Sequence, residues 1–565
     1  MFVFQSLRVM GSSVVALAAL RACGGSDTDG QASTPPPSTT IPAPTLVACN
    51  WNTSVALAYE EQRLLTPLPT GTATAVGSDT TPVAERLVKG AAFDTFNPAF
   101  ASALCAADNT TAISSHEAAL ALVKQQGAAL WRAAVDRVQG RRAGGTLPAS
   151  DDRALYWTRV YMTKTLRQWA PSFAMTDAQR DELQWEFERS SRGQHDLNLP
   201  TGTSASSARY RRILMSGFDT FTLGTPGTPN TGLRNGNPSG ATALELDGRE
   251  FVLADGTIAH IETYLLPVSY DPFNKGMQED TIGPFFRPGA QRVDASITMS
   301  QGSANIFNLE AFNGRFHGSS AGNDGIVYCP AGATRLPAYV LPIGSPSTAG
   351  ASPITLPNSG CNVYPPARWL GYQSAGQWMK DYPPQFSHAS LPFPAMVTGQ
   401  TGTGVTRPPG ATSAGTEGFD VTYHTNYTYF PNCGALETLS KPSNGVVNRM
   451  PDFLPTTLDP YDPTNTSVVP PKPEWCSRQG GGGDYLSNES AYRNTVLRDT
   501  FGLGIPAGHI HTPVMTNFFG GTPTTGGNTR DDNAITDARF EAYRTAIVAQ
   551  GKNLMMVVAN SLAYK

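Results

Sequence analysis

The chain changes character near Tyr210, where short apolar runs begin to alternate with glycine, proline and polar residues. The runs RRILMSGFDTF, IETYLLPVSY and DASITMSQG each have the length and composition of a buried strand. Helical patterns lie between and after them, for example DARFEAYRTAIVAQGKNLMMVVANSLA near the C-terminus. This alternation predicts an α/β domain with a mostly parallel sheet, which we place at residues 205–565. Because ligands collect at the carboxyl ends of such strands, we expect a site where GFDTF, PVSY and SQG fall.

Residues 46–195 have the apolar spacing of helices instead. The segment HEAALALVKQQGAALWRAAVDRVQGRR repeats apolar residues every three or four positions over several turns. Ser150, and Thr176 with Gln179 three residues later, are expected to cap the amino ends of two further helices. A chain of 565 residues exceeds one ordinary core, so two or three domains are expected, and this helical region is predicted to be one of them.

The charge of the chain argues against one class of partner. Only 15% of the residues are charged and the formal net charge is -4, which gives no electrostatic reason to expect binding to nucleic acid or to an anionic membrane surface. The 55 glycines and 45 prolines indicate long loops between the regular elements.

The first 23 residues have the features of an export signal. One arginine, Arg8, precedes an apolar stretch that is too short to span a bilayer. Leu20-Arg21-Ala22-Cys23 resembles the cleavage box of bacterial lipoproteins, which would make Cys23 a lipidated terminus followed by a flexible polar linker at residues 24–45. The alternative is an ordinary signal peptide with Cys23 incidental. We expect a periplasmic or outer-membrane lipoprotein of a bacterium, attached to the membrane only through this anchor.

Export would place the other six cysteines in an oxidising compartment, where disulfides are favoured over free thiols. Six cysteines allow fifteen connectivities. Their order along the chain favours three local pairs: Cys49 with Cys105, Cys329 with Cys361, and Cys433 with Cys476. The alternative is that one of them is a catalytic thiol, which the even number disfavours.

Five motifs accompany the predicted strands in a fixed order. They are Gly217-Phe218-Asp219-Thr220-Phe221, Asn237-Pro238-Ser239, Leu266-Pro267-Val268, Gln301-Gly302 followed by Leu309-Glu310, and Gly508-His509-Ile510-His511-Thr512-Pro513. Together they resemble the pyroglutamyl peptidase I family, cysteine peptidases that remove N-terminal pyroglutamate. The family's motifs are Gly-Phe-Glu-Pro-Phe, Asn-Pro-Ser, Leu-Pro-Val, a Leu-Glu turn and Gly-Phe-Ile-His-Val-Pro. The resemblance covers about residues 210–315 and 484–565.

This resemblance implies a three-layer α/β/α fold and a set of site residues. Glu310 would be the catalytic glutamate and His511 the catalytic histidine. Phe218 and Phe221 would flank the pyrrolidone ring, Gln301 would hydrogen-bond its lactam, and Asn237 would brace the pocket. The implied ligand is a small peptide or another pyroglutamyl-type molecule, and no cofactor is expected. The stretch from about 318 to 480 has no counterpart in the family and would be an insertion stapled by two disulfides.

The catalytic cysteine of the family is missing. The family carries it in a Ser-Asn-x-Ala-Gly-x-Tyr-x-Cys-Asn helix start, and this chain has Ser487-Asn488-Glu489-Ser490-Ala491-Tyr492-Arg493-Asn494. Counted from Tyr492, the thiol position holds Asn494; counted from Ser487, it holds Thr495. An asparagine amide is neither acidic nor nucleophilic near neutral pH, so His511 would have only water or a nearby hydroxyl to activate. Ser487, Ser490 and Thr495 supply those hydroxyls, although serines at helix starts are more commonly caps.

Each assignment has a structural alternative. His511 could be a core histidine, Glu310 a solvated carboxylate, and the two phenylalanines core residues. His509 and His511 could form half of a metal site, but no further ligand stands at metal spacing and no metal is expected. Three functions remain open: an exported hydrolase with altered catalysis, a binding protein that keeps the pocket without the thiol, and a structural lipoprotein of the cell envelope.

Overall fold

Helices and strands are defined in a computed structural model that describes residues 50–69, 79–105, 113–202, 209–315, 320–325, 384–412, 415–430, 446–448, 470–515 and 534–562. The predicted anchor at Cys23 and the linker at 24–45 lie outside these residues. None of the described helices is long and apolar enough to cross a membrane.

The helical region contains six α-helices and one short β-pair among the described residues. The helices are α1 (Tyr59–Gln62), α2 (Val83–Gly90), α3 (Phe96–Leu104), α4 (His116–Val138), α5 (Arg153–Gln168) and α6 (Asp177–Ser190), and the pair is β1 (Asn50–Trp51) with β2 (Trp169–Ala170). The predicted long helix is confirmed as α4.

Only one of the two predicted helix caps is correct. The hydroxyl of Thr176 accepts a hydrogen bond from the Gln179 amide at 3.2 Å, and the Gln179 side chain accepts one from the Thr176 amide at 2.9 Å, which completes the capping box of α6. The prediction for Ser150 is wrong. Helix α5 begins only at Arg153, and Ser150 Oγ instead accepts a hydrogen bond from Arg544 Nε at 3.1 Å.

A seven-stranded mixed sheet forms the centre of the α/β part. The remaining strands of the chain are β3 (Tyr210–Phe218), β4 (Arg249–Val252), β5 (Ile258–Leu266), β6 (Ala295–Gln301), β7 (Ile306–Glu310), β8 (Phe312–Gly314), β9 (Phe386–His388), β10 (Asp420–His424), β11 (Tyr427–Phe430), β12 (Val446–Asn448), β13 (Cys476–Gln479) and β14 (Ala507–Thr512). The order in the sheet is β10-β7-β14-β6-β3-β5-β4. Four neighbouring pairs are parallel, whereas β7 with β14 and β4 with β5 are antiparallel. The three apolar runs identified in the sequence are confirmed as β3, β5 and β6.

Helices cover both faces of this sheet. The other helices are α7 (Pro238–Leu246), α8 (Tyr270–Asn274), α9 (Met277–Phe286), α10 (Phe393–Thr398), α11 (Leu486–Thr500) and α12 (Ala538–Ser561). Successive side chains of a strand point to opposite faces. On β6, Ile297 and Met299 belong to the core that also contains residues of α7 and α12. Ser296 on the other face contacts α11. The α/β fold with a mostly parallel sheet is therefore confirmed.

The helical region and the sheet pack against each other. Residues 45–565 form one compact unit, and one continuous apolar core contains residues from α2 to α6, from the sheet and from α12. Charged contacts reinforce this packing at the end of β3. Asp219 accepts hydrogen bonds from Arg159 of α5 at 2.8 Å and from Arg192 at 2.7 and 2.9 Å, and all three side chains are buried.

The stretch expected to be an insertion contributes to the central sheet. Strand β10, at residues 420–424, pairs in parallel with β7 and forms the edge of the sheet. The same stretch supplies β9, which pairs with β8, and β11, which pairs with β12 and β13. The stretch is therefore joined to the central sheet through β10, and its extent as an insertion stays a prediction.

The disulfide scheme remains a prediction. Cys105, next to the end of α3, is disulfide-bonded, but its proposed partner Cys49 lies outside the described residues. Cys329, Cys361 and Cys433 also lie outside them, and only the backbone of Cys476 is described.

Candidate active site

A small cavity lies at the carboxyl ends of β3, β5 and β6, where the sequence predicts a site. Its enclosed volume is about 40 Å³, and the space reaches about 310 Å³ when the region open to solvent is included. Six of its nine lining residues come from strand ends and the loops after them, and three come from the start of α11; they are Phe218, Phe221, Asn237, Val268, Ser300, Gln301, Tyr485, Leu486 and Ser487. The four residues expected to bind a ligand are all in this lining.

Ser487 brings a hydroxyl to the wall of the cavity. It is the second residue of α11, where backbone amides have no partner within the helix and the helix dipole favours negative charge. Its Oγ accepts a hydrogen bond from Ser300 Oγ at 2.7 Å. In the sheet, Ser300 is the register partner of His511 on the neighbouring strand β14. Ser487 therefore contacts β6 at the residue that pairs with His511 on β14.

Three polar side chains form a hydrogen-bonded row on β10, β7 and β14. The fully buried carboxylate of Glu310 accepts a hydrogen bond at each oxygen, from His511 Nδ1 at 2.6 Å and from His424 Nδ1 at 2.5 Å. Burial alone would raise the pKa of Glu310, but His424 and His511 more than offset it and hold that pKa well below its usual range. Glu310 is therefore ionised.

The charge of Glu310 fixes how His511 is protonated. An ionised carboxylate only accepts hydrogen bonds, so Nδ1 of His511 carries the donated proton. In the neutral ring, Nε2 then keeps its lone pair and can accept a proton. A histidine held in this way by a carboxylate has the arrangement of a general base.

A glycine run allows the chain to pass close to this row. Gly481 precedes α11, and a Cβ atom at that position would overlap Oε2 of Glu310. On the other side, a Cβ at Gly302 would lie 2.6 Å from Cβ of His511. Both positions therefore require glycine because the backbone lies against the catalytic candidates.

Asn494 is not in the cavity, which corrects the sequence assignment. Its side chain is fully buried between α11 and the sheet. Its Oδ1 accepts a hydrogen bond from Ser296 Oγ at 2.6 Å, and its Nδ2 donates to the Ser296 carbonyl at 2.9 Å. Residue 494 lies two helical turns beyond the cavity wall, so it fastens the helix to β6 rather than replacing a nucleophile.

The other two hydroxyls near the helix start are also used structurally. Ser490 Oγ donates to the carbonyl of Ser487 at 3.0 Å. Thr495 Oγ1 lies 2.6 Å from Ser387 Oγ and donates to the carbonyl of Ala491 at 2.9 Å. Of the three hydroxyls considered from sequence, Ser487 is the one that lines the cavity.

The position of Ser487 also suggests a different alignment with the family pattern. Read from Tyr485 instead of Tyr492, the family's Gly-x-Tyr-x-Cys-Asn corresponds to Gly483-Asp484-Tyr485-Leu486-Ser487-Asn488. Serine then takes the place of cysteine. A tyrosine stands in both registers, at 485 and at 492, so the tyrosine alone does not decide between them.

The ligand-binding candidates differ in how many of their polar atoms are engaged. Asn237 caps α7: its Oδ1 accepts from the Ser239 amide at 3.1 Å, and its Nδ2 donates to the Asp219 carbonyl at 2.8 Å. Gln301 Nε2 donates to the Phe221 carbonyl at 3.3 Å, whereas Gln301 Oε1 is buried without a hydrogen-bond partner. Gln301 thus offers a free acceptor at a cavity that Phe218 and Phe221 also line.

His424 was not identified from the sequence. It lies in the stretch set aside as an insertion, and its contact with Glu310 depends on the parallel pairing of β10 with β7, in which the two residues are register partners. The alternation Val421-Thr422-Tyr423-His424 was the available signal. Among the described residues, no group of three or more His, Cys, Asp or Glu has the arrangement of a metal site.

Two family models match the chain, the PA0049 N-terminal domain over residues 40–188 and the PA0049 C-terminal domain over residues 212–516. The chain belongs to the PA0049 family. A relative from Pseudomonas aeruginosa, described as uncharacterized protein PA0049, is 64% identical over 522 residues, which is 92% of this chain and 92% of the relative. The boundary between the two PA0049 domains falls between α6 and β3, where the helical region meets the sheet.

Among solved structures, a mutant pyrrolidone carboxyl peptidase from the hyperthermophile Pyrococcus furiosus matches 62% of this chain and 99% of its own length. The identity is 13% and the TM-score is 0.29.

Proposed function

We propose that this PA0049-family chain is a serine-dependent hydrolase that releases pyroglutamyl-type groups from peptides. Ser487 would take the role that a cysteine has in pyroglutamyl peptidases. The observation that carries the proposal is that Ser487 lines a cavity that also contains the four ligand-binding residues implied by the motif resemblance. The proposal also includes export and lipid attachment at Cys23, which rest on the sequence.

The chemistry would follow the usual course of acyl transfer by serine. Ser487 Oγ attacks the carbonyl carbon while its proton passes to Nε2 of His511, and Glu310 stabilises the imidazolium that forms. The proton then goes to the leaving amine as the carbon–nitrogen bond breaks. Water hydrolyses the resulting ester by the same route and restores the Ser487 hydroxyl.

The start of α11 would stabilise the charge that develops on the carbonyl oxygen. The amides of its first residues lack acceptors within the helix, and they lie at the cavity wall with Leu486 and Ser487. Such preorganised donors each contribute about a hundredfold or more to acyl transfer.

The cavity suits a small flat ring that carries one N–H group. Phe218 and Phe221 supply apolar surfaces, and the unpartnered Oε1 of Gln301 can accept a hydrogen bond from a lactam nitrogen. Leaving that buried acceptor unpaired costs about 1 to 3 kcal/mol, so a ligand with a matching donor would be favoured over one without it.

A binding protein without catalysis is the second candidate. One observation favours it: Ser487 Oγ is hydrogen-bonded to Ser300, and no hydrogen bond joins it to His511 in the part of the chain that the structure describes. In that case the cavity would hold a pyroglutamyl-type ligand and leave it unchanged.

Cleavage of a chromogenic pyroglutamyl anilide separates the two candidates. The hydrolase proposal predicts cleavage by the wild-type protein and loss of cleavage in Ser487→Ala, with Ser490→Ala as the matched control that keeps activity. Thermal stabilisation by pyroglutamate without any cleavage would support the binding protein instead. If the protein neither cleaves the anilide nor is stabilised by pyroglutamate, both candidate functions are overturned.

A further inference from the structure

The first histidine of the His-x-His motif, His509, has a hydrogen-bond partner at both ring nitrogens. His509 is fully buried, and its Nδ1 lies 2.8 Å from Thr298 Oγ1 while its Nε2 lies 2.9 Å from Ser300 Oγ. Ser300 is therefore in contact with two groups, His509 on one side and Ser487 on the other. The result is a continuous hydrogen-bonded row that runs from Thr298 to the proposed nucleophile.

The number of available protons determines which group donates in each hydrogen bond of this row. The hydroxyl of Ser300 has one proton, and that proton is donated to Ser487 Oγ at 2.7 Å. Ser300 can therefore only accept from His509, so Nε2 of His509 must carry a proton. Burial, followed by the nearby His511, lowers the pKa of His509 well below its usual value, which keeps the ring neutral. With its single proton on Nε2, the ring accepts at Nδ1 from Thr298 Oγ1, which lies 2.8 Å away and is closer to this nitrogen than to the Gly508 carbonyl at 3.4 Å.

We propose that His509 and Ser300 form a donor chain that positions the Ser487 oxygen. Each member donates toward the cavity, from His509 Nε2 to Ser300 Oγ and from Ser300 Oγ to Ser487 Oγ. Ser487 then cannot donate its own proton to Ser300, and that proton is left for His511. This inference rests on the proposed hydrolase function, and it makes His509 and Ser300 positioning residues.

The donor chain gives the two histidines of β14 different roles. His511 is oriented by Glu310 and keeps a free lone pair, whereas the Nε2 of His509 is already protonated and engaged. His509 is therefore unsuited to act as the base, although it lies closer in the hydrogen-bonded row to Ser487. The ring centroids of the two histidines are 4.8 Å apart and nearly perpendicular, so the rings remain distinct in orientation.

Ser300→Ala tests the chain by kinetics, with Ser296→Ala as the matched control. Both variants remove a buried serine hydroxyl from the same face of β6, but Ser296 contacts Asn494 instead of Ser487. We expect kcat for pyroglutamyl anilide to fall by about tenfold or more in Ser300→Ala with KM unchanged, because the nucleophile loses its fixed position. Ser300→Thr, which keeps the hydroxyl, should recover much of the loss. Equal effects of Ser300→Ala and Ser296→Ala would overturn the proposal.

Nitrogen NMR of the histidine side chains supplies a readout that does not depend on catalysis. The donor chain predicts that His509 is neutral with its proton on Nε2 in the wild-type protein. A proton on Nδ1 would reverse the direction of the row and overturn the proposal, whatever the activity. If the wild-type protein does not cleave the anilide, the proposed function fails, and the position of the His509 proton still decides whether the donor chain exists.

Discussion

At the scale of single residues, Glu310 keeps a negative charge in surroundings that would otherwise neutralise it. Its side chain is fully buried, and each of its oxygens accepts a hydrogen bond from a histidine. The cost of burying the carboxylate is offset only while both partners are present. His424 therefore belongs to the site even though it does not line the cavity, because it holds the carboxylate that orients His511.

Replacing Glu310 with glutamine tests this role of the charge. The amide keeps the size of the side chain but cannot stabilise an imidazolium at His511, so kcat for pyroglutamyl anilide is expected to fall by about a hundredfold or more. Glu250→Gln is the control, because Glu250 also pairs with a histidine, His260, at 3.0 Å, but lies on the exposed edge strand β4. Steady-state kinetics of both variants give the comparison. Unchanged kcat in Glu310→Gln would remove Glu310 from the mechanism.

Four of the nine residues that line the cavity were predicted from the sequence to bind a ligand, whereas Asn494, taken as the position of the missing cysteine, lies outside the cavity. Phe218, Phe221, Asn237 and Gln301 follow strands, and the carboxyl ends of neighbouring parallel strands meet at one edge of a sheet. Ser487 could not be chosen in the same way, because the distance from Tyr485 or Tyr492 to the cavity depends on where α11 begins. In the folded chain the glycine run before the helix packs against Glu310, a contact between residues far apart in sequence.

At the scale of elements, the strands β3, β5 and β6 were predicted from the sequence, whereas the edge strand β10 was not. Strands β3, β5 and β6 are buried on both faces over most of their length, so apolar residues recur along them between buried polar ones. Strand β10 alternates polar and apolar residues and lies within a long stretch rich in proline and glycine, where a single short strand has little contrast with its surroundings. Its long-range pairing with β7 could not be read from local pattern.

The contact between α5 and the end of β3 gives a stability prediction. Burial would raise the pKa of Asp219, but Arg159 and Arg192 outweigh burial and lower it. Asp219→Asn would leave the buried guanidinium of Arg159 without its paired carboxylate and Arg192 with Glu188 alone, so the free energy of unfolding should fall by about 3 to 5 kcal/mol at pH 7. Asp136→Asn is the control, because it breaks an exposed pair with Arg141 and should cost about 1 kcal/mol or less.

The same substitution has a defined pH dependence. Because the pKa of Asp219 is lowered in the folded protein, its stabilising contribution is complete above the unfolded carboxyl pKa of about 3.9 and is lost as the pH falls toward the folded value. Denaturant unfolding of both proteins should therefore show the largest difference near neutral pH and a smaller one below about pH 4. If the difference in unfolding free energy between the wild-type protein and Asp219→Asn stayed constant down to pH 3, Asp219 would not be ionised beside its arginines.

At the scale of the whole molecule, two matched domains share one apolar core. The PA0049 N-terminal and C-terminal domain models meet between α6 and β3, yet the described residues of both contribute to a continuous buried cluster. The helical region thus supports the end of β3, where Asp219 directly follows Phe218 of the cavity wall. Its helices were predictable from apolar spacing, whereas its packing on the site depends on buried arginines whose partners lie far away in sequence.

Membrane attachment through Cys23 is the prediction that concerns the molecule as a whole. A multiply acylated terminus would be the anchor, so Cys23→Ser should move the protein from the membrane fraction to the soluble fraction. The measurement is fractionation of cells that express either form, followed by immunoblotting. A Cys23→Ser protein that still sediments with membranes would refute lipid attachment at this residue.

The most direct test of the account is covalent labelling of the wild-type protein with a fluorophosphonate, followed by mass spectrometry of its peptides. This reagent reacts with serines that a neighbouring base activates. We predict a single adduct on Ser487, strongly reduced labelling in His511→Asn, and unchanged labelling in Ser490→Ala. Absence of an adduct on Ser487 in the folded wild-type protein, or an equal adduct in His511→Asn, would contradict the central claim that Ser487 is a nucleophile activated by His511.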